Sequence, residues 1–420
     1  MSQSISLYKQ LANHKLFNKT INFDLKRIKL VLKKLGHPER KLNNVINFLG
    51  SSGKFTTLHS VKCFIEANNQ TTTAYISPSL RDIKERFWMG DRYLTHQEIK
   101  KSITLIAKLK VPLTIFEALT VIYIINASKQ DTDYHLVEAG ALFAKDSTNV
   151  FLFPLAQVIV NINKQHLNFL KKKTLDEVVY QKVGFLSNFT KIYVGKQRPN
   201  VLIKIKKNLK NNKSKINYPN SWKLLKKNKH FFYRDIKNII KLNTKNIHSK
   251  GLLENLCHAI KIALDLKIDK KVIERTIPSI SFEGRFQYLK KGKIKNKLYN
   301  SEQIMVDGAH AEADAKNLAN YLRNIKVPKY AVWAMMKNKE PDLFIKLFKG
   351  IFKKIITIPI ENEQNCMSSK DLKSICKKNQ FDVDKANSFN EAIKKITSKN
   401  KKLIVCLGSL YNVGNILNKN

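Results

Sequence analysis

Residues 45–60, VINFLGSSGKFTTLHS, constrain this chain more than any other stretch. An apolar run ends in Gly50-Ser51-Ser52-Gly53-Lys54-Phe55-Thr56-Thr57, and a helical pattern follows from His59. A buried strand that turns through small residues into a helix leaves backbone N–H groups pointing out of the helix N-terminus. Those donors and the positive end of the helix dipole suit a phosphate. Lys54 adds a mobile cation for outer phosphates, and a threonine hydroxyl can ligate Mg²⁺. The strict form of such a loop has glycine where this chain has Phe48, and Ser or Thr where it has Phe55. Taken alone, the stretch reads as an ordinary Gly-Lys turn opening a helix. The rest of the chain decides.

At 420 residues the chain is too long for one ordinary core, so two domains are expected. A hydrophobic fraction of 43% and 22 Phe exclude bulk disorder. Lys and Arg number 77 against 32 Asp and Glu, a net charge of 77 − 32 = +45. The excess is Lys, accompanied by abundant Asn and Ile, which reads as a bias acting on exposed positions. It favours anionic ligands in general, and no nucleic-acid partner is expected. The scattered cysteines, Cys63, Cys257, Cys366, Cys376 and Cys406, form no CxxC pair. They read as thiols in a reducing compartment, not as a disulfide set or a zinc site. Lys9, His14, Lys15 and Lys19 interrupt the opening residues, so no secretory leader is read there. The longest apolar run, 113–127, carries Glu117 and is short of a membrane span. The expectation is a cytoplasmic monomer with small-molecule substrates and no membrane partner.

Helical spacing of apolar residues from Leu25 to Leu35 predicts an amphipathic helix that enters the first strand. Further strands are predicted at 71–76, 134–138 and 157–162, with helices at 98–109 and 114–127. This alternation argues for a parallel sheet with crossover helices, in which ligands bind beyond the carboxyl ends of strands. The 50–57 turn, Ser77, Glu138 and His166 all fall at predicted strand ends. Residues 203–250, rich in Lys and Asn, read as a solvated loop or edge-strand region. The polar run 290–297, KKGKIKNK, reads as the domain boundary. Beyond it come strands at 303–307, 330–335, 354–360 and 402–406, with helices at 312–324, 342–352, 371–379 and 388–396.

Several short motifs, in this order, resemble the folylpolyglutamate synthase/dihydrofolate synthase family, relatives of the Mur peptide ligases. They are GSSGKFTT; Ser77-Pro78-Ser79-Leu80 with Glu85-Arg86; Thr114-Ile115-Phe116-Glu117; Glu138-Ala139-Gly140 with Asp146-Ser147-Thr148-Asn149; His166; and Gln181-Lys182-Val183-Gly184. Glu254-Asn255, Gly284-Arg285-Phe286-Gln287, Asp307-Gly308-Ala309-His310 and Gly408-Ser409-Leu410-Tyr411 continue the series. The resemblance implies an α/β fold: a P-loop-type, mostly parallel sheet domain followed by a smaller Rossmann-like α/β domain. The first, residues 1–290, would be the ATP-binding Mur-ligase-like domain with the pterin or folate site. The second, residues 298–420, would be the glutamate-ligase domain.

The implied activity is ATP-dependent addition of L-glutamate to dihydropteroate and to reduced folates through an acyl phosphate. By the same resemblance Gly53, Lys54, Phe55 and Thr56 would hold phosphates, and Thr56, Ser77, Glu138 and His166 would ligate Mg²⁺. Lys182 matches a lysine carried as a carbamate, able to hold a second Mg²⁺. Asn255 would read adenine, Arg285 the phosphates and Asp307 the ribose, while His310 would contact phosphate or assist proton movement. Ile21, Asn22, Phe23, Thr114, Ile115, Phe116, Lys145, Asp146 and Ser147 match positions that contact the pterin substrate. The chain departs from the family pattern at Phe55, which would crowd the loop; at Ser79 and Asn22; and through lost glycines in 139–145. The departures lie more on the substrate side than among the metal and nucleotide residues. They leave room for a ligase with only one of the two activities, or for a nucleotide-binding relative without catalysis.

Overall fold

The computed structural model describes residues 7, 11, 13–18, 20 and 22–420. Ile21 lies outside the described residues. The chain divides into two compact units, Met1–Asn243 with Leu252–Pro278, and Thr244–Gly251 with Ser279–Asn420. The chain therefore passes between the units at 243/244, 251/252 and 278/279, and the 290–297 run lies inside the second unit, not at its edge.

The first unit begins with a short strand β1 (Phe17–Asn18) and helix α1 (Leu25–Lys34), which Asp24 caps by accepting from Lys26 N–H. Strand β2 (Val45–Leu49) is buried along its whole length, as befits a continuous apolar run at the centre of a parallel sheet. Helix α2 (Lys54–Ala67), β3 (Thr72–Tyr75), β4 (Phe87–Met89), α3 (His96–Lys108) and β5 (Leu113–Thr114) follow. Helix α4 (Ile115–Ala127) comes next, then β6 (Tyr134–Glu138), β7 (Ala156–Ile159), α5 (Leu175–Val183), β8 (Lys191–Val194), α6 (Pro199–Asn208) and β9 (Lys215–Asn217). Among the described residues, seven of these strands form one sheet in the order β4-β3-β6-β2-β7-β8-β9, parallel except for β4. Strand β2 pairs with β6 on one side and β7 on the other, Phe48 lying opposite both Glu138 and Val158. Strand β2 is thus the place where the order reverses, and the crevice at its carboxyl end is the expected ligand position in such sheets.

Within residues 203–250, read as a solvated loop or edge-strand region, the structure has strands: β9 is the edge of the seven-stranded sheet. Strands β10 (Lys223–Lys227), β11 (His230–Arg234) and β12 (Ile239–Lys241) form an antiparallel meander. It includes a buried Tyr233, and the buried Trp222 just before it stacks on His258 (5.9 Å). Helices α7 (Lys250–Asp265) and α8 (Lys270–Thr276), neither of them read from the sequence, come next, and α8 packs on α2.

The second unit is a six-stranded sheet. Its elements are β13 (Gln287–Tyr288), β14 (Glu302–Val306), α9 (Glu312–Arg323), β15 (Lys329–Trp333), α10 (Pro341–Lys346), β16 (Lys354–Thr357), α11 (Ser369–Lys378), β17 (Val383–Lys385), α12 (Phe389–Ile396), β18 (Lys402–Leu407) and α13 (Leu410–Lys419). The order is β13-β14-β18-β15-β16-β17, with only β13 antiparallel. Helix α10 is shorter than the sequence suggests, because the chain leaves the helix at Leu347, before Gly350 (φ +75°). Residues 244–251 join this unit through Asn317, whose side chain donates to Ser249 Oγ (3.0 Å) and accepts from Gly251 N–H (3.2 Å). No helix among the described residues is long and apolar enough to cross a membrane.

Candidate active site

The turn after β2 is built from backbone geometry that side chains resist. Gly50 has φ +137°, and a Cβ there would lie 2.5 Å from Val160 Cγ2. Gly53 has φ +101° at the N-cap of α2, and a Cβ there would meet the Asn255 side chain at 2.6 Å. The absence of a side chain at Gly53 therefore keeps open the approach to the helix N-terminus. The turn is tied to the loop after β7: Ser51 and Ser52 N–H both donate to Asn161 O (2.8 and 3.1 Å), and Asn163 N–H donates to Ser51 Oγ (3.0 Å). Phe55 does not crowd the turn. It sits in the first turn of α2, outside the left-handed region, and its ring stacks on His59 one turn later (5.5 Å, 23°).

Lys54 and Glu138 face each other, with Nζ 3.8 Å from Oε1 and both side chains largely buried. Glu138 Oε2 also accepts from Ser77 N–H (3.1 Å), so the carboxylate joins the ends of β3 and β6. Thr56 Oγ1 donates to Gly53 O (3.1 Å) and accepts from Asn255 Nδ2 (2.8 Å). Lys182, 1% exposed, lies beneath the turn and donates to Gly50 O (2.8 Å) and Ala141 O. Burial, aided by the charge of Lys54, lowers its ammonium to about 7. An amine so poised is available in its neutral, nucleophilic form at physiological pH. His166 follows β7 with φ +62° and stacks on Phe169, which in turn meets Phe23 edge-on (5.3 Å). Among the described residues no three His, Cys, Asp or Glu side chains gather as a ready-made metal cage. The oxygen donors at hand are Glu138 and the hydroxyls of Thr56 and Ser77. That set suits a hard cation which keeps several of its waters.

The segments matched to the pterin position are knit together by side chains. Arg27 pairs with Glu117 through two hydrogen bonds (3.2 and 2.9 Å) and donates to Asn22 O (2.7 Å). Glu117 completes a capping box with Thr114 at the start of α4. The Arg27–Glu117 pair was not read from the sequence as part of a site. Its one available signal is Glu117, the sole acid in an otherwise apolar helix. Phe116 lies against Gly140, leaving no room for a Cβ there. Asp146 is buried, and its oxygens accept from Gly140, Ala141 and Thr148 N–H and from Thr148 Oγ1, which organises the 140–148 loop. Burial raises its carboxyl above the usual range against those hydrogen bonds. Ser147 Oγ and Thr120 Oγ1 are 2.6 Å apart, while Lys145 is exposed.

In the second unit Asp307 follows β14. Its carboxylate accepts from Phe286 N–H (2.8 Å) and Ala309 N–H (2.7 Å). Burial raises it to about 6, while the Arg285 charge acts the other way. Arg285 donates to Gly284 O (3.1 Å). His310 donates from Nδ1 to Gly308 O (2.9 Å), which leaves Nε2 as the acceptor nitrogen. Burial and the charge of Lys339 hold the imidazole well below its usual range, in the neutral form.

Residues 290–419 match the family model described as dihydrofolate synthetase, C-terminal domain. The chain is 24% identical over 410 residues to the dihydrofolate synthase/folylpolyglutamate synthase of Buchnera aphidicola (subsp. Schizaphis graminum), covering 96% of this chain and 94% of that one. Its fold is similar to that of E. coli FolC in complex with DHPP and ADP, with TM-score 0.86, 19% identity, and 99% and 97% of the two chains covered. It is also similar to the Yersinia pestis bifunctional folylpolyglutamate synthase/dihydrofolate synthase complexed with AMPPNP and Mn ion, with TM-score 0.84, 18% identity, and 100% and 98% covered.

Proposed function

From this chain's membership of the folylpolyglutamate synthase/dihydrofolate synthase family, we propose that it is an ATP- and Mg²⁺-dependent ligase adding L-glutamate to dihydropteroate and to reduced folates. The observation that carries the reading is the turn after β2, where Lys54 faces Glu138 above a fully buried Lys182. A carboxylate is inert toward an amine, and ATP, when bound, supplies the phosphoryl group that activates it as an acyl phosphate.

The chain's own residues provide positioning and charge. The N–H groups at the start of α2, exposed by Gly53, would receive phosphate oxygens, and Lys54 would leave Glu138 to meet the outer phosphates. Thr56, Ser77, Glu138 and His166 would hold Mg²⁺. Asn255, which donates to Thr56 Oγ1 (2.8 Å), is proposed for reading adenine. Arg285 and Asp307 are proposed for the phosphates and ribose, and neutral His310 for accepting a proton at Nε2. Lys182, as a carbamate, would add an anion beside the turn; its lowered affinity for protons supports that chemistry, since only the neutral amine attacks CO₂. On the substrate side, Asn22, Phe23, Thr114, Ile115, Phe116 and Ser147 would contact the pterin, with Asp146 shaping the loop that carries Lys145 and Ser147.

ADP release from purified protein with ATP, Mg²⁺ and glutamate, adding dihydropteroate or tetrahydrofolate separately, tests the reading. Stimulation by both is expected. Stimulation by one alone narrows the activity, and none by either sinks it. Partial rescue of Lys182→Ala by short-chain carboxylates is expected if the carbamate forms.

A further inference from the structure

The basic run 290–297 borders a cavity of about 420 Å³ inside the second unit. Residues from 245–248, from β13 and its flanks, and from the start of β14 line it. Four of them are cations, Lys245, Arg285, Lys290 and Lys295, and only Glu302 is a carboxylate. That carboxylate is engaged elsewhere. It accepts from Tyr299 N–H (3.0 Å) and Ser398 N–H (2.9 Å), and Lys402 Nζ is 3.4 Å away. Lys295 Nζ is fixed at the wall by the carbonyls of Tyr299 (3.3 Å) and Glu302 (2.9 Å).

The cavity also has a rigid aromatic side. The His248 ring meets Tyr288 edge-on (5.6 Å) and stacks on Tyr321 (6.0 Å), and the two tyrosine hydroxyls are 2.8 Å apart. Partial burial and the charge of Lys290 hold the His248 imidazole below its usual range. It therefore offers a neutral hydrogen-bonding group and not a fifth cation. Clefts of this size take small molecules, and concave walls concentrate the field of the cations that line them. A single anionic group would meet one or two of these cations, whereas several groups along a short chain would meet more of them.

We infer that this cavity binds a small polyanion, a molecule bearing two or more phosphates or carboxylates. The inference goes beyond the ligase reading, and binding is measured without turnover.

Calorimetric titration of the full chain with two probes, inorganic tripolyphosphate and tri-γ-L-glutamate, tests it. At least one probe is expected to bind with 1:1 stoichiometry. The Lys245→Glu/Lys290→Glu double variant, both lysines being exposed, is expected to weaken that binding roughly tenfold or more. A double reversal at the exposed Lys349 and Lys353 should leave it unchanged. If the double variant misfolds, Lys245→Ala and Lys290→Ala singly carry the same comparison, with a smaller loss expected in each. Tripolyphosphate alone marks a phosphorylated ligand, and tri-γ-glutamate alone or with it admits an oligocarboxylate. Three results overturn the inference: no binding of either probe, binding indifferent to Lys245 and Lys290, or equal loss on reversing Lys349 and Lys353.

Discussion

Lys182 shows how one buried side chain can set a pH dependence. In the unfolded chain its ammonium titrates near the usual lysine value, about 10.5, whereas in the fold it does so at about 7. Between those values the unfolded state holds a proton that the native state lacks, so stability rises with pH across that window and is flat below it. In CO₂-free buffer, urea midpoints from pH 7 to 10 should therefore climb in the wild type. Lys182→Met should remove that part of the slope; parallel slopes would contradict the burial argument. At the phosphate turn, Lys54→Ala should lower ADP release by roughly 10²-fold, since a preorganised charge is lost where charge develops. Gly53→Ala should impair the same assay, because its Cβ would run into Asn255 from a left-handed backbone position.

Helix α4 is the element on which the substrate-side segments depend. Its capping box, its salt bridge to Arg27 and the hold of Arg27 on Asn22 O all pass through Glu117. Glu117→Gln should cost about 2 kcal/mol of stability, measured by urea unfolding, because a charged, largely buried hydrogen-bond set is broken. It should also raise KM for the pterin substrate more than KM for ATP. Elements like this one were legible in the sequence, since Thr114 and Glu117 stand three apart before an apolar run. The strands β2 and β6 were legible for a similar reason: central parallel strands are mostly apolar, and these two lead into chemistry-bearing residues. What stayed hidden depends on long-range contact. Nothing local marks residues 244–251 as belonging with α9, or the polar run 290–297 as the border of a cavity. The harmless place of Phe55 follows from a stack on His59 that only the folded helix start defines.

At the scale of the whole molecule, a net charge of +45 works against compaction. Raising NaCl from about 0.02 M to about 0.3 M shortens the screening length severalfold. The thermal midpoint should therefore rise over that range, while the association rate of anionic substrates falls; a midpoint that fell with salt would contradict the first expectation.

The hydrogen bond from Asn255 to Thr56 has a consequence for how the protein is made. The two residues are 199 positions apart, and the helix that carries Asn255 follows a passage of the chain through the second unit. A ribosome that has completed the seven-stranded sheet and its meander has not yet synthesised the residue that anchors the phosphate turn. A nascent chain stalled at residue 243 would carry every residue proposed for metal and pterin and still lack a finished nucleotide site. Nucleotide binding is thus deferred until translation is well past the halfway point, and a fragment cut at the end of the meander should be inert toward ATP however well its sheet folds.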